Sequence, residues 1–330
     1  MRGVIITNTV SDLKEQGIYS LTVSSVFPTG DTCCFLAEGE HGWSVIEVGV
    51  HTPTAREQWT ALLKEIGISF GHIKKIYITH IHPDHAGIAG WLQQQSDAEV
   101  FVPRGDLAPW AKYNLPEADQ LEELRRDMLP HGIADEVVQQ LAKDINQINQ
   151  LFKPFPEVSP LDPGDTVCFG DDIYQVLDIP GHSDGHVMFL GEQYKSLFSG
   201  DAFLANHVSQ ISDWPYSWLE DPLSVNREKL RRIVDLAPDR VLPAHGPGFR
   251  GAPERLKSVE AQHQRRMNKV LEKLTGEMTL IEVCQAINVK ARVLQEFRVS
   301  WADTRAYLEC LWRQGLIDKA VDTTIRYRPK

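Results

Sequence analysis

The chain has 330 residues, 42% apolar and 24% charged, the make-up of an ordinary globular protein with room for one large domain and a smaller one. No apolar run approaches the ~20 residues that span a bilayer, and five cysteines are too few and too irregular for a disulfide framework. The net charge of −11 is uneven: residues 254–330 stand at +5 and the rest at −16, an acidic body that repels polyanions.

In chain order, residues 1–6 lack the long apolar core and small-residue cleavage site of a signal peptide. Cys33, Cys34, Cys168, Cys284 and Cys310 read as buried free thiols, which places the chain in a reducing compartment, the cytoplasm. Residues 19–26, 32–37 and 44–47 are short β-type runs split by turn signals at Pro28-Thr29-Gly30-Asp31 and at 38–42. Residues 54–66 have helical periodicity, with Trp59, Leu62, Leu63 and Ile66 on one face.

The apolar run 73–78 reads as a buried strand and leads into Thr79-His80-Ile81-His82-Pro83-Asp84-His85. Pro83 stops the strand, so the polar cluster sits at a strand end, where α/β folds place their chemistry. His80 and His82 are two apart on extended backbone and point the same way. Asp84 and His85 follow the turn and face a second point nearby. Imidazoles with a carboxylate suit zinc and similar divalent metals. A lone histidine would read as part of an incidental polar turn; four ligand-type side chains in six residues do not. A helix is expected at 85–95, starting on the last of them, and a strand at 99–102.

The segment 104–156 is polar and helix-prone, broken by Pro109, Pro116 and Pro130, with amphipathic helices expected at 121–128 and 134–152. A connection this long between two strands is an insertion or a lid. Strand signals resume at 165–169 and 173–178, followed by Ile179-Pro180-Gly181-His182-Ser183-Asp184-Gly185-His186. Strands at 187–190 and 196–199 come next, the second running into Gly200-Asp201-Ala202. A helix at 224–236 precedes a strand at 240–242 that ends at Pro243-Ala244-His245-Gly246-Pro247. Four times, then, a short strand runs into a turn carrying His or Asp.

His186 is a candidate for orienting a ligand, whereas His41, His51, His72, His131, His207 and His263 are isolated and expected at the surface or in loops. Aromatic clusters pack more often than they recognise. The place of Trp214, Tyr216 and Trp218 shortly after Asp201 nevertheless makes them candidates for lining a substrate pocket. Pocket shape is expected to come from 104–156 and from 203–220.

Beyond Gly251-Ala252-Pro253 the composition shifts. Helices are expected at 253–275, 279–287 and 302–314, the last with an apolar stripe of Tyr307, Leu308, Leu311 and Trp312 and a terminating Gly315. Residues 317–321 and 324–327 make a β pair. Helices followed by a two-stranded wing suggest a winged-helix module, which binds DNA in some proteins and packs or dimerises in others. Acidic Asp303 and Glu309 beside Arg305 and Arg313 favour packing on the body or on a second subunit.

Collected, His80, His82, Asp84, His85, His182, Asp201 and His245 are too many for one tetrahedral zinc and suit two metals. Two cations ~3.5–4 Å apart that share a carboxylate and a hydroxide form a hydrolytic arrangement. The motifs His-x-His-x-Asp-His at 80–85, Pro-Gly-His at 180–182, Gly-Asp at 200–201 and Ala-His-Gly at 244–246 resemble, in that order, those of the metallo-β-lactamase-fold hydrolases, the group that includes glyoxalase II. The resemblance covers about residues 18–250. It implies an α/β fold, an αββα sandwich with metals at one edge of the two sheets. It also implies His80, His82 and His182 on one metal, Asp84, His85 and His245 on the other, Asp201 bridging, and Asp84 as the catalytic residue that orients the attacking hydroxide. Zinc is the expected metal, with iron and manganese as alternatives. Redox diiron relatives carry an acidic residue at the place of His82, so histidine there favours hydrolysis.

The expected organisation is a catalytic domain at 1–253 with its helical insertion, and a winged-helix-like domain at 254–330. The expected activity is hydrolysis of a small ester, thioester or lactone. The alternatives are a phosphodiesterase or ribonuclease, a mononuclear-iron persulfide dioxygenase, and a ligand sensor without turnover. A small molecule is the expected partner; a membrane and nucleic acid are not, and a homodimer is left open.

Overall fold

The computed structural model describes residue 13, residues 16–287 and residues 294–330. The stretch 1–6, read above for a signal sequence, lies outside the described residues. Strands β1 (Ile18–Val23), β2 (Thr32–Gly39) and β3 (Gly42–Ile46) form an antiparallel meander, joined by the loop 24–31 and then by a tight turn at 40–41. The sheet continues in parallel with β4 (Ile73–Tyr77), β5 (Glu99–Pro103) and β6 (Val158–Leu161). Parallel neighbours need crossovers. The first is α1 (Pro53–Glu65), started by Thr52, whose side chain accepts from the Ala55 N–H at 3.1 Å, with proline at its first position. Its Trp59, Leu62 and Leu63 pack on Ile76 and Val100 to make the outer core of this sheet.

The single helix expected at 85–95 is two, α2 (Pro83–Ala86) and α3 (Ala89–Ser96). At the break Gly87 passes close to neighbouring backbone: a Cβ there would lie 3.0 Å from the Leu151 carbonyl oxygen and 3.1 Å from the His51 nitrogen. The insertion forms α4 (Arg104–Tyr113), α5 (Glu117–Met128) and α6 (Asp135–Asn149). Strand β6 was not expected. It is four residues long and contains Pro160, which suits the edge position it takes.

The second sheet has the order β11-β10-β9-β8-β7, from β7 (Thr166–Phe169), β8 (Asp172–Asp178), β9 (Val187–Gly191), β10 (Ser196–Gly200) and β11 (Arg240–Pro243). Only β10 and β11 pair in parallel, across the helix α7 (Pro222–Asp235). The sheets face each other through Phe35, Tyr77, Phe169, Tyr174, Phe189 and Phe198, with Phe35 and Phe198 ring centroids 4.8 Å apart. Helices α7 and α8 (Ala252–Lys273) cover the outer face, burying Leu230, Ile233 and Val259 against Leu197 and Val241. The layers are therefore αββα.

The C-terminal segment continues with β12 (Met278–Thr279), α9 (Leu280–Ile287), α10 (Leu294–Arg313), β13 (Ile317–Val321) and β14 (Ile325–Pro329). The three strands form one antiparallel sheet. Trp301, Tyr307, Leu308, Leu311 and Tyr327 share one apolar cluster with Leu124, Met128, Leu141 and Ile145 of the insertion and with Ile211. Trp312, expected in the apolar stripe, is 36% exposed beneath Arg313 and Lys319. His131 and His263, expected at the surface, are buried. His131 stands edge-on to Trp301 at 5.9 Å, and His263 shares a 2.7 Å hydrogen bond with the Tyr307 hydroxyl. Burial lowers their pKa values to about 3 and about 4. Cys168, expected buried, is exposed, and Cys33 is half-buried. No described helix is long and apolar enough to cross a membrane.

Arg305 clasps the two segments together. It bonds Asp127 of α5 at 2.6 Å, approaches Asp213 at 3.2 Å and lies over the Trp301 ring. Arg305→Ala is expected to leave two largely buried carboxylates unpaired and to lower unfolding stability by about 3 kcal/mol. An unchanged denaturant midpoint would remove the clasp from the account.

Candidate metal centre

All four His- and Asp-bearing turns open at one edge of the two sheets, after β4, β8, β10 and β11. The close approach of β10 to β4 depends on Gly200, whose φ is 51°. A Cβ there would meet the Thr79 hydroxyl at 2.5 Å and His186 Nε2 at 2.7 Å.

The structure brings together all seven residues expected as ligands. In one group, His80 Nε2 and His182 Nε2 each lie 3.0 Å from His82 Nδ1, and His182 Nε2 lies 3.4 Å from Asp201 Oδ2. In the other, His85 Nε2 and His245 Nε2 lie 3.4 and 3.5 Å from Asp201 Oδ1, and His245 Nε2 is 3.4 Å from Asp84 Oδ2. Ligand atoms around a tetrahedral ion with bonds of 2.0–2.1 Å stand about 3.3 Å apart, so these spacings fit divalent cations. His85 Nε2, His245 Nε2 and Asp201 Oδ1 are buried with no hydrogen-bond partner, as atoms reserved for a cation would be.

The electrostatics treat the two groups differently. Burial pushes His80 and His182 down, and His82 down to about 3. Burial opposes ionisation of Asp84, but His85 and the nearby His245 imidazole outweigh it and hold its pKa at about 2. Asp201 is held well below the usual carboxylate range by His85 and His245 against the same burial. Burial disfavours charge on His85 and His245 too, but Asp201 outweighs it and raises both. Neutral imidazoles and ionised carboxylates are the forms that bind metal, so the first group and the carboxylates stand ready while His85 and His245 give up a proton to a cation.

The nitrogens turned away from the centre are tied down. His182 Nδ1–H donates to the Gln210 carbonyl at 3.0 Å, and His245 Nδ1–H to the Asp31 carbonyl at 3.0 Å. His186 Nε2 accepts the Asp201 N–H at 3.1 Å and its ring stacks on His80, so it positions the aspartate. Sequence reasoning missed Glu47. It is buried at φ 63°, accepts from the Thr79 hydroxyl and lies 3.4 Å from His85 Nδ1. Its one signal in the sequence is an acidic residue closing an apolar strand. Asp106 of α4 was missed too. It accepts from the Ile81 N–H at 3.1 Å, the Ser183 hydroxyl at 2.9 Å and the Gly185 N–H at 2.7 Å, tying the insertion to two of the turns.

A cleft with about 190 Å³ of space open to water leads to His82, Asp84, His182 and Asp201. The insertion lines it with Tyr113, Ile145 and Phe152, and the loop after Asp201 with Trp214 and Tyr216. Trp218 does not line it; the indole is 58% exposed and its N–H donates to the Gly105 carbonyl at 3.1 Å. The cleft is also lined by Arg298, Val299 and Ala302 of α10, a contribution not expected from the sequence.

The family model of the metallo-beta-lactamase superfamily matches residues 28–245. The chain is similar to the probable metallo-hydrolase YqjP of Bacillus subtilis, 25% identical over 317 residues that cover 91% of this chain and 93% of that one. It is 24% identical to the hydroxyacylglutathione hydrolase of Bdellovibrio bacteriovorus over 167 residues, 51% of this chain and 46% of that one. Among solved structures, a metallo-beta-lactamase family protein from Thermus thermophilus, TTHA1429, matches with a TM-score of 0.83 at 28% identity, covering 95% of this chain and 99% of that one.

Glu47→Gln keeps an acceptor for Thr79 and removes the charge behind His85. Loss of such a partner typically costs 10–100-fold in metal affinity, and a drop of about that size is expected in competition with a chromophoric chelator. Wild-type affinity would leave Glu47 a purely structural residue.

Proposed function

The chain belongs to the metallo-β-lactamase superfamily, and from that premise we propose that it is a dinuclear-metal hydrolase of a small thioester, ester or lactone. The observation that carries this reading is Asp201, whose two oxygens face the two donor groups separately. His80 Nε2, His82 Nδ1, His182 Nε2 and Asp201 Oδ2 would hold one cation. Asp84, His85, His245 and Asp201 Oδ1 would hold the other. Imidazole and carboxylate donors at tetrahedral spacing favour zinc, and iron or manganese can take the same donors. When bound, the cations supply a water of pKa near ~7 and a Lewis acid for the scissile oxygen.

The chain's own residues do the rest. Asp84 faces the cleft, with its Oδ2 accepting from the Thr29 hydroxyl at 3.1 Å. That carboxylate, held ionised, would orient the attacking water. Phe27, Ile81, Ile145 and Phe152 offer apolar walls for an acyl body. The name of the hydroxyacylglutathione hydrolase describes removal of an acyl group from a thiol carrier, which supports thioesters first and a place near the glyoxalase II group.

Residues 254–330 read as a winged-helix-like module with a packing role, beside a catalytic domain at 1–253. Tyr307, Leu308 and Leu311 are buried, and Asp303 and Glu309 on the same helix pair with Arg266 and Lys319, each at 2.6 Å. A nucleic-acid reader would present bases there. An odd count of five cysteines suits the cytoplasm.

The test is a metal count on the purified protein with a panel of small thioesters, esters and lactones. Two cations per chain and thioester turnover are expected; one iron with oxygen uptake would replace this reading with a dioxygenase. Asp201→Ala is expected to abolish the two-metal stoichiometry and the activity, because a shared carboxylate is what holds two cations close together. Retention of two tightly bound metals with near-normal turnover would overturn the bridging role. Asp84→Asn keeps the shape and loses the charge, so kcat is expected to fall on the order of 10²-fold or more while the melting temperature stays close to wild type. A variant with unchanged kcat would take Asp84 out of the mechanism.

A further inference from the structure

The cleft residues furthest in sequence from the metal-binding turns come from the C-terminal helix α10, and they include one cation. Among the described residues that line the cleft, Arg298 is the sole Lys or Arg. Four aspartates share that lining. None of the four is free to neutralise the arginine. Asp84 and Asp201 belong to the donor groups. Asp106 is taken up by its three hydrogen bonds, and Asp184 by the Ser217 hydroxyl at 2.8 Å and the Trp218 N–H at 2.6 Å.

Two turns along the same helix, Arg305 shows what a structural arginine looks like here: it sits between Asp127 and Asp213. Arg298 has no carboxylate within ion-pairing distance among the described residues; Asp144 acts on it only from further away. Its guanidinium lies 5.6 Å from the centroid of the Trp214 ring. Stacking engages the face of a guanidinium and leaves its edge N–H groups for an acceptor. Two further residues of the lining carry a buried donor without a hydrogen-bond partner. Asn149 is 4% exposed and its Nδ2 is unsatisfied, and the Tyr216 hydroxyl is buried and unsatisfied. Unpartnered buried donors call for an acceptor.

We infer that Arg298, with Asn149 and Tyr216 beside it in the lining, recognises an anionic group on the substrate away from the scissile bond. The substrate class is then an acyl thioester or ester that carries a carboxylate or phosphate on its acyl part or on its leaving group. The inference rests on the hydrolase reading above. It makes the C-terminal segment a specificity determinant of the site, since that segment supplies the cation.

The experiment uses the metal-loaded full chain and two matched pairs of thioesters. One pair places the charge on the acyl part: the glutaryl thioester of N-acetylcysteamine against its neutral glutaramoyl counterpart. The other places it on the thiol: the butanoyl thioester of N-acetylcysteine against that of N-acetylcysteinamide. In one pair, wild-type kcat/KM is expected to favour the anionic member by on the order of tenfold, the worth of a charged hydrogen-bonded contact. The pair that shows it identifies which part carries the charge. In Arg298→Gln that preference is expected to vanish, and in Arg298→Lys to survive in part, because lysine keeps the charge without the fork.

No preference in either pair, or a preference that survives Arg298→Gln, would overturn the inference. So would equal losses for both members of a pair, which would mark Arg298 as structural. Glutarate and glutaramate binding by calorimetry to wild type and Arg298→Gln gives a readout apart from turnover. Tighter glutarate binding that depends on Arg298 supports the anion site even where no thioester is cleaved, and that pattern would sink the hydrolase reading alone. Equal binding of the two acids to wild type, with no Arg298-dependent preference in the thiol-side pair, would sink the anion site alone.

Discussion

Asp201 is the constraint on which the site depends. One short side chain has its oxygens within 3.5 Å of His182 on one side and of His85 and His245 on the other. Its strand end must therefore sit beside the ends of β4, β8 and β11 at once. Two sheets packed face to face can do this because their separation is set by a filled aromatic core, near ~10 Å. Phe198 of the strand that carries Asp201 packs on Phe35, Phe169 and Tyr174, all around 5 Å away. The sandwich core thus works as a distance standard for the metal centre. Burying this many imidazoles and carboxylates without cations disfavours the fold, and metal binding offsets that cost.

The C-terminal segment reaches the centre along a traceable line of contacts. His182 is oriented by the Gln210 carbonyl, and Gln210 Nε2–H donates in turn to the Val299 carbonyl of α10 at 3.2 Å. The same helix holds the next residues of that loop, accepting from the Ile211 N–H through Asp303 and from the Asp213 N–H through the Ala302 carbonyl. Because the Nδ1–H of His182 is committed to Gln210, its Nε2 lone pair points at the centre. Helix α10 thus touches the site twice, through the ligand-bearing loop and as part of the cleft wall.

Much of the centre was legible in the sequence because its chemistry is written in contiguous turns. His80, His82, Asp84 and His85 declare themselves by density, and His182, Asp201 and His245 each follow a short strand. The supporting residues do not announce themselves in this way. Glu47 is one acidic residue after an apolar run, and its meaning depends on Thr79 and His85 arriving across the sheet. His131 and His263 read as surface residues because their partners, Trp301 and Tyr307, come from a segment far along the chain. Strand β6 was hidden by its brevity and its proline, and the break between α2 and α3 by the close approach of Gly87 to the backbone of Leu151 and His51, which no local pattern encodes.

The cleft follows a different logic from the centre. Its lining comes from the insertion, the loop after Asp201 and α10, which are separated by long stretches of sequence and meet through one shared apolar cluster and the Arg305 clasp. Removing residues 254–330 would strip Trp301, Tyr307 and Leu311 from that cluster and expose Leu124, Met128 and Leu141 of the insertion, an apolar patch of the kind soluble surfaces avoid. The C-terminal segment and the insertion therefore stabilise each other, and neither forms a wall of the cleft alone. Chemistry fixed at the sheet edge and recognition assembled above it can change independently. This is why the ligand motifs identify a reaction type while leaving the substrate to be read from long-range packing.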